Sequence, residues 1–516
     1  MKTPSLCAMR CSLKVLAVAS DGSFQPTLRL HALSWLFGLS GAIKQMVLPL
    51  IALFFFNVRN DMPGPLGPWI VPIVVALVAL RAVWIQLTFR YGFSPSGLVI
   101  REGLIFRNTR HIEYARIENI DTERSVLHRL LGVAEVRVQT STGGKPEALI
   151  SVLDLEAVQE MRDRIFSQTK PIEQTVAAPA EQTLLHLDMG ELVRHGLIDN
   201  RGMILVAAAF GVLHEAGVFV INQQLVDQVL HSPSATGLAA LGLMMQIGLG
   251  VLTILGVILA VRALSVIQAI ITFYDFRLTR VAGDLRARYG LFTRVALTLR
   301  TRRIQAVHQN ESLLHRWFNR VSLSVDLAGD GGGGEGNGDN SRSKTRWLAP
   351  VCPASTAPKL IATALPALDL NTEPDWQPLA SGARGRIFRK TLLWSIVVLT
   401  APAVWYLQEG AVVILSSCIP LAWMHAHLYV KNTRWALAPD AVLFRRGWLN
   451  RQLTIVPRDR VQTSSIEASP FDRRNRMASI YVDTAGASPM SAGIRIRYLA
   501  ADVAERLAAA LYRTAA

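Results

Sequence analysis

Six arginines recur in three pairs at one interval. Arg116 and Arg129, Arg303 and Arg316, and Arg460 and Arg473 are each 13 residues apart, and each leading member lies 13 residues after a glycine, Gly103, Gly290 or Gly447. A guanidinium presents a planar fork of donors and keeps its charge at any physiological pH, which suits bidentate binding of phosphate or carboxylate. Basic side chains close to an anionic leaflet also gain about 1 kcal/mol each. The six arginines are therefore candidate ligands for an anionic group. A plainer reading stands beside this one. Repeated copies of one fold meet the same folding problem, and the arginines would then close salt bridges or lay their stems along a sheet edge.

Other reactive residue types are sparse. Lys44 and Glu215 each lie 12 residues into an apolar run, 32–56 and 203–221. At about 1.5 Å per helical residue both would sit roughly 18 Å deep in a membrane. Matching depth permits an ion pair, and a charge at that depth is costly. A transport role, with His214 beside Glu215 as a relay, is set against a helix-packing pair with no transport role. His425 and His427 are two residues apart and occupy different faces of a helix, so they do not make the i, i+4 pair of a helical metal site. They read as interface histidines. Cys7, Cys11, Cys352 and Cys418 form no CxxC pair, so neither a disulfide framework nor a zinc site is indicated. No GxSxG, HExxH, Walker or kinase motif occurs. The expectation is a non-enzyme with no catalytic residue, no cofactor and no metal.

The elements that hold these residues follow from composition. The chain has 516 residues, 51% hydrophobic and only 18% charged, with 54 basic against 38 acidic side chains and a net charge of +16. Mean hydropathy is +0.29. This excludes a disordered chain and favours a membrane protein. Six apolar runs, 32–56, 69–89, 203–221, 238–273, 392–407 and 411–430, approach the roughly 20 residues needed to cross a bilayer. They fall into three pairs. The short connectors at 57–68, 222–237 and 408–410 hold one basic residue, Arg59, and nearly all other basic residues lie before or after the pairs. The positive-inside rule then places both termini and the long segments in the cytoplasm. The run 238–273 is longer than a bilayer requires, so its last turns, after Arg262, should leave it. Topology also accounts for the excess of positive charge, and no nucleic-acid module is present, so nucleic acid is not expected as a partner.

A motif set repeats after each pair. The first copy reads Leu98-Val-Ile-Arg-Glu-Gly103, then Ile112-Glu-Tyr-Ala-Arg116-Ile117-Glu118, then Ser125-Val-Leu127-His128-Arg129. The second reads Leu285-Arg-Ala-Arg-Tyr-Gly290, Leu299-Arg-Thr-Arg-Arg303-Ile304-Gln305 and Ser312-Leu-Leu314-His315-Arg316. In the third come Val442-Leu-Phe-Arg-Arg-Gly447, Ile455-Val-Pro-Arg-Asp-Arg460-Val461-Gln462 and Ser469-Pro-Phe471-Asp472-Arg473. Alternating apolar residues such as Leu98 and Ile100, and Val136 and Val138, predict short strands. The glycines suit hairpin turns, and a helix closes each copy at 155–166, 357–367 and 500–512. Five to seven strands and one helix make a small α+β roll. In the third copy Asp472 stands in place of His128 and His315, so a role of those histidines would not be shared.

This order and spacing resembles the bacterial pleckstrin-homology-like domain, a family long listed as of unknown function. Three copies, each behind a helix pair, resemble the membrane proteins of the YdbT type. The resemblance covers almost the whole chain. It implies a multi-pass α-helical membrane protein with six helices in three pairs and three cytoplasmic α+β PH-like domains, each a bent β-sandwich plus a C-terminal helix, in a bacterial inner membrane. It implies little about activity.

The expected layout is a basic tail at 1–29, helix pairs at 30–89, 203–273 and 391–430, and PH-like domains at 90–170, 274–370 and 431–516. Linkers take up 171–202 and 371–390. A glycine-rich insert at 329–341 interrupts the second domain and reads as a flexible loop rather than a phosphate cradle. The expected function is a non-enzymatic scaffold at the cytoplasmic leaflet that binds lipid headgroups or other membrane proteins. The alternative is a transport or lipid-moving protein that uses Lys44 and Glu215.

Overall fold

The structure is a computed structural model. It describes residues 28–30, 34, 37, 73, 76–77, 79–81, 83–84, 88–103, 107–140, 148–167, 181–200, 202–204, 206, 211, 243–281, 283–328, 346–368, 373–407, 411–484 and 494–515. Two compact units result, one of residues 1–140 with 146–174 and one of residues 141–145 with 175–516.

The first unit holds the first copy. Strands β1 (Leu28–Arg29), β2 (Arg90–Phe93), β3 (Gly97–Glu102) and β4 (Asn108–Glu113) form an antiparallel sheet in that order. After a 3-10 turn at Tyr114–Arg116 come β5 (Ile117–Arg124), a short helix α1 (Val126–Leu130), β6 (Val133–Thr140) and β7 (Ala148–Asp154), an antiparallel meander. Helix α2 (Leu155–Ser167) closes the domain. Period-two alternation puts Leu98 and Ile100 of β3 and Val136 and Val138 of β6 into one core, with Met161 of α2 against them; none is more than 3% exposed. Each such side chain contributes about 1.5–3 kcal/mol by leaving water.

The second unit repeats this plan twice. In the second copy β8 (Gln182–His186) leads to helix α3 (Met189–Ile198) and, after an intervening stretch, helix α4 (Leu243–Phe273). Then β9 (Arg277–Val281), β10 (Asp284–Tyr289) and β11 (Arg294–Leu299) complete a sheet with β8. A 3-10 turn at Thr301–Arg303 leads to β12 (Ile304–Glu311), α5 (Leu313–Trp317), β13 (Arg320–Leu327), β14 (Arg346–Pro353) and the closing helix α6 (Ala357–Ala364).

The third copy begins with β15 (Gln377–Pro378), followed by α7 (Ala383–Leu407) and α8 (Ala411–Asn432), which pack side by side. Strands β16 (Arg434–Leu437), β17 (Ala441–Arg446) and β18 (Arg451–Pro457) lead to the 3-10 turn Arg458–Arg460. Last come β19 (Val461–Glu467), α9 (Pro470–Arg474), β20 (Met477–Thr484), β21 (Ile494–Ala500) and α10 (Ala501–Ala515).

Two features depart from the sequence reading. The stretches read as a tail and two linkers each supply a strand, β1, β8 and β15, which pairs with the first strand after the apolar helices: Leu28 with Tyr91, His186 with Arg277, Pro378 with Arg434. The apolar segment is thus inserted between the first two strands of its own domain, and in the third copy that segment is the helix pair α7–α8. In addition, the second and third copies share one seven-stranded sheet of order β14-β13-β12-β18-β17-β16-β15. Its seam pairs Val307 with Ile455 and Glu311 with Arg451. His308 bridges the seam, 2.8 Å from Asp326 and 3.1 Å from Thr454.

Among the described residues, Gly250–Phe273 is the one helix long and apolar enough to cross a membrane. Its outer part displays Leu252, Leu255 and Leu259, and its end enters the second copy's core through Phe273, 2% exposed. Helix α3 crosses it closely. A Cβ on Gly196 would fall 2.4 Å from the Cα of Val266, and the Gly202 amide donates to Ser265 Oγ at 3.0 Å. Arg262 lies at the break after α3, where its Nη1 donates to the carbonyls of Leu197 (3.1 Å) and Asp199 (3.2 Å) and to Asn200 Oδ1 (2.7 Å). Arg262 thus caps the C-terminal end of α3. Helix α7 runs through Pro402 without a break and starts at Ala383, earlier than the apolar run. Most of the runs 32–56, 69–89 and 203–221, and the insert 329–341, lie outside the described residues.

Candidate functional site

The recurring arginines fall into two sets. Arg116, Arg303 and Arg460 each end the 3-10 turn before the meander. Arg129, Arg316 and Arg473 each lie in the short helix after its first strand. That strand has eight residues in the first two copies, which at about 3.3 Å per residue separates the sets by roughly 25 Å. The six do not converge on one site.

Each short helix is built by the Ser-x-x-His/Asp part of the motif. Ser125, Ser312 and Ser469 are N-caps whose side chains accept from the amides of His128, His315 and Asp472. The residue at N3 returns the contact: His128 Nδ1 lies 2.5 Å from Ser125 Oγ, His315 Nδ1 lies 2.8 Å from Ser312 Oγ, and Ser469 Oγ donates to Asp472 at 2.5 Å. In the second and third copies the Ser312 and Ser469 amides also donate to His315 Nδ1 and Asp472 Oδ2, both at 3.3 Å, which closes a capping box with a nitrogen in one copy and a carboxylate oxygen in the other. Asp472 therefore keeps the role that its change of residue type had suggested was lost. His315 is buried, with Nε2 2.7 Å from Ser322 Oγ. Burial pushes its pKa below the ordinary imidazole value, against the opposing fields of Glu311 and Asp199.

The short helices mark the end of each domain to which the apolar helices attach. In the first copy the ring of Phe37, a helical residue, lies 4.0 Å from that of His128. In the second, Arg320, three residues past α5, makes a forked contact with Glu191 of α3, Nη2 to Oε1 at 2.8 Å and Nε to Oε2 at 2.9 Å. The hydrogen bond from Arg320 is the main cause holding the Glu191 carboxyl below the usual carboxylate range. In the third, Asp472 of α9 accepts from Arg386 of α7 at 3.2 Å, and the Arg386 guanidinium lies 4.8 Å over the Phe471 ring.

Hairpin turns reach the same end. Gly290 (φ +113°) donates its N–H to the Tyr274 carbonyl just past α4 at 2.8 Å, and any Cβ there would fall 2.0 Å from the Thr293 carbonyl oxygen. In the third copy Trp448 Nε1 donates to His425 Nδ1 of α8 at 3.1 Å. His427 stacks on Trp423 at 5.5 Å, so the two histidines make separate aromatic contacts.

The second arginine set is thus at the helix-bearing end and the first at the far end. Arg129 and Arg473 are exposed. Arg316 donates to the carbonyls of Trp448 (3.0 Å) and Leu449 (3.1 Å), a clamp between the second and third copies. At the far end Arg116 pairs with Glu113 and Arg460 with Asp459, both at 3.1 Å, while Arg303 donates to the Ala328 carbonyl.

A cleft opens at each end of the β12–β18 seam. The far one, about 460 Å³, has Arg302, Arg460 and Asp440 around prolines 366, 439 and 457. The other, about 670 Å³, is lined by Arg446, Arg451, Glu311, Asp199 and His315. Cys352 offers no nucleophile, since burial pushes its thiol up to about 12. Among the described residues no group of three or more His, Cys, Asp or Glu side chains gathers as metal ligands. Lys44, Glu215 and His214 lie outside the described residues. The sequence reading missed Arg320, Glu191 and Arg386, whose pairing joins residues distant along the chain. It found the recurring Ser-x-x-His/Asp segments but did not read them as capped short helices, though that spacing carried the signal.

Comparison with known proteins follows the same threefold division. The family model described as Bacterial PH domain matches residues 42–169, 234–357 and 390–515. The chain is 22% identical over 479 residues, 90% of its own length and 93% of the relative's, to the UPF0699 transmembrane protein YdbT of Bacillus subtilis (strain 168). No solved structure matches it.

Proposed function

The chain belongs to the bacterial PH domain family, and on that premise we propose that it is a membrane-anchored scaffold. Six helices in three pairs hold three PH-like domains at the cytoplasmic leaflet of a bacterial inner membrane, where the domains engage anionic lipid headgroups and other membrane proteins without catalysing a reaction. The transmembrane description of the YdbT relative and the helix Gly250–Phe273 support the membrane part of this reading.

The observation that carries the scaffold is that the first two strands of each domain pair across its apolar segment, which in the third copy is the helix pair α7–α8. A domain on a flexible tether would sample many orientations, whereas two helices leaving adjacent strands fix which end faces the leaflet. The side-chain ties add to this constraint, and the shared sheet makes two domains one platform. Three modules on one anchor raise effective concentration, so each can bind weakly alone. Arg129 and Arg473, exposed at the helix-bearing end, meet headgroups; Arg116, Arg302 and Arg460, at the far end, meet protein.

The test is lipid retention by the full chain. Purified from bilayers of mixed phosphatidylcholine and phosphatidylglycerol, the protein should keep phosphatidylglycerol in excess, and Arg129→Ala with Arg473→Ala should remove the excess. No enrichment, or enrichment equal in the variant, would remove the headgroup role.

A further inference from the structure

The helix-bearing end of the third copy carries apolar side chains that the protein itself leaves uncovered. Leu449 at the tip of the β17–β18 turn is 41% exposed and Phe471 of α9 is 65% exposed. Both are beside the helices α7 and α8. Counting back equally from the connector between α7 and α8 sets Trp394 of α7 (63% exposed) at about the height of Trp423 of α8 (53% exposed). Trp is enriched where a bilayer's hydrocarbon meets its headgroups, so this pair marks that level. His425 is two residues along from Trp423, and Trp448 is hydrogen-bonded to it. The hairpin turn is therefore at the height of the tryptophans, above Arg389, Lys390 and Lys431.

Charge surrounds these apolar tips. Arg473, Arg474 and Arg476 are exposed on and after α9, and Arg446 is exposed at the end of β17. Arg386 lies over Phe471 from α7. An apolar turn at the height of the tryptophans, with Phe471 and a ring of guanidinium groups lower down beside Arg386, matches a layer that is hydrocarbon above and phosphate below. A protein partner would not need that vertical order.

We propose that the turn 447–450 and helix α9 are immersed in the headgroup region of the membrane that α7 and α8 cross, with Leu449 at the upper acyl chains and Phe471, beside Arg386 and about 12 Å lower by the 1.5 Å helical rise, among the headgroups with Arg473, Arg474 and Arg476 on lipid phosphates. The second copy repeats the arrangement: Phe292 (52% exposed) lies at a turn docked on the end of α4, and Leu313 and Trp317 of α5 are 53% and 82% exposed. The inference rests on the reading of α7 and α8 as membrane helices, and it adds that the domains are partly embedded rather than hung below the leaflet.

The experiment uses the full chain in nanodiscs of phosphatidylcholine and phosphatidylglycerol. Leu449→Cys, Phe471→Cys, Leu393→Cys and Tyr512→Cys are made singly in a Cys7→Ser, Cys11→Ser background and labelled with an environment-sensitive fluorophore. The buried Cys352 and Cys418 are retained, and the unsubstituted background measures their labelling. Lipids carrying a spin label just below the headgroup, or at mid-chain, serve as quenchers. The expected result is blue-shifted emission at 449 and 471, lost to the shallow quencher. Emission at 393 should be quenched by lipid, and that at 512, beside the far-end turn, should be unaffected. If 393 is quenched while 449 and 471 behave like 512, immersion is overturned and the membrane reading stands. If 393 also escapes both quenchers, both readings fall.

Discussion

Replacing Arg320 with Met should loosen helix α3 from the second domain. The forked contact consists of two charge-assisted hydrogen bonds at 2.8 and 2.9 Å between side chains 18% and 17% exposed. Removing one partner of a fully buried pair costs about 3–5 kcal/mol. Here Glu191 keeps Arg194 at 2.5 Å and some contact with water, so the loss is that of a hydrogen bond to a charged group, about 1.5–3 kcal/mol. At 1.4 kcal/mol per tenfold, local opening should rise by about 10- to 150-fold. Hydrogen exchange of the full chain in detergent reads this directly as faster exchange of the α3 and β13 amides, with α10 in the third copy unchanged. The pH dependence has a definite sign. The pair depresses the Glu191 pKa, so its stabilisation is full above the ordinary glutamate value and is lost as pH falls through the folded value. The variant should lose the part of that acid sensitivity that Arg320 supplies and keep the part due to Arg194. Acceleration below ~3-fold, or equal acceleration in α10, would refute the idea that this contact holds the helix to its domain.

Other expectations follow from single features. His315 has a depressed folded pKa, so below the ordinary imidazole value the unfolded chain takes up a proton that the folded chain refuses. Stability of the second copy should fall with pH in that window, and His315→Gln should flatten the fall in a series of melting curves. Arg476 adopts φ +49°, at the position equivalent to Gly132; a left-handed non-glycine residue costs roughly 1–2 kcal/mol, so Arg476→Gly should raise the stability of the third copy by up to about 1 kcal/mol in denaturant titration. The third copy expressed as 373–516 uncovers the β18 edge that β12 pairs in the full chain. Such an edge invites pairing with a second molecule, and sedimentation velocity in detergent should show self-association that the full chain lacks.

Much of the domain fold was legible in the residues. Alternation at Leu98 and Ile100, the glycines at 103, 290 and 447 and the closing helices predicted strands, turns and helices that the structure contains. Strand β15 escaped because two residues carry no periodicity, and β8 because it lies on the other side of a long apolar stretch from its partner. Pairing between β12 and β18 left no local mark, since an edge strand bonds a neighbouring copy through the same backbone groups as its own. The arginine spacing was read as one recurring feature. It proved to be the length of a strand, with an arginine at either end and different partners in each copy: Glu113 for Arg116, the carbonyls of Trp448 and Leu449 for Arg316, Asp459 for Arg460. Side chains that tie helix to domain, such as Arg320 and Arg386, were invisible because their importance depends on contacts 129 and 86 residues away.

Sidedness tests the account most directly. One exposed residue from the far end of each copy, Glu113, Arg302 and Tyr512, is changed singly to Cys in the Cys7→Ser, Cys11→Ser background and treated with a membrane-impermeant maleimide in intact cells and in inverted membrane vesicles. The account predicts labelling of all three in inverted vesicles and of none in intact cells. Labelling of any one of them from outside the cell would contradict three domains held at one cytoplasmic leaflet.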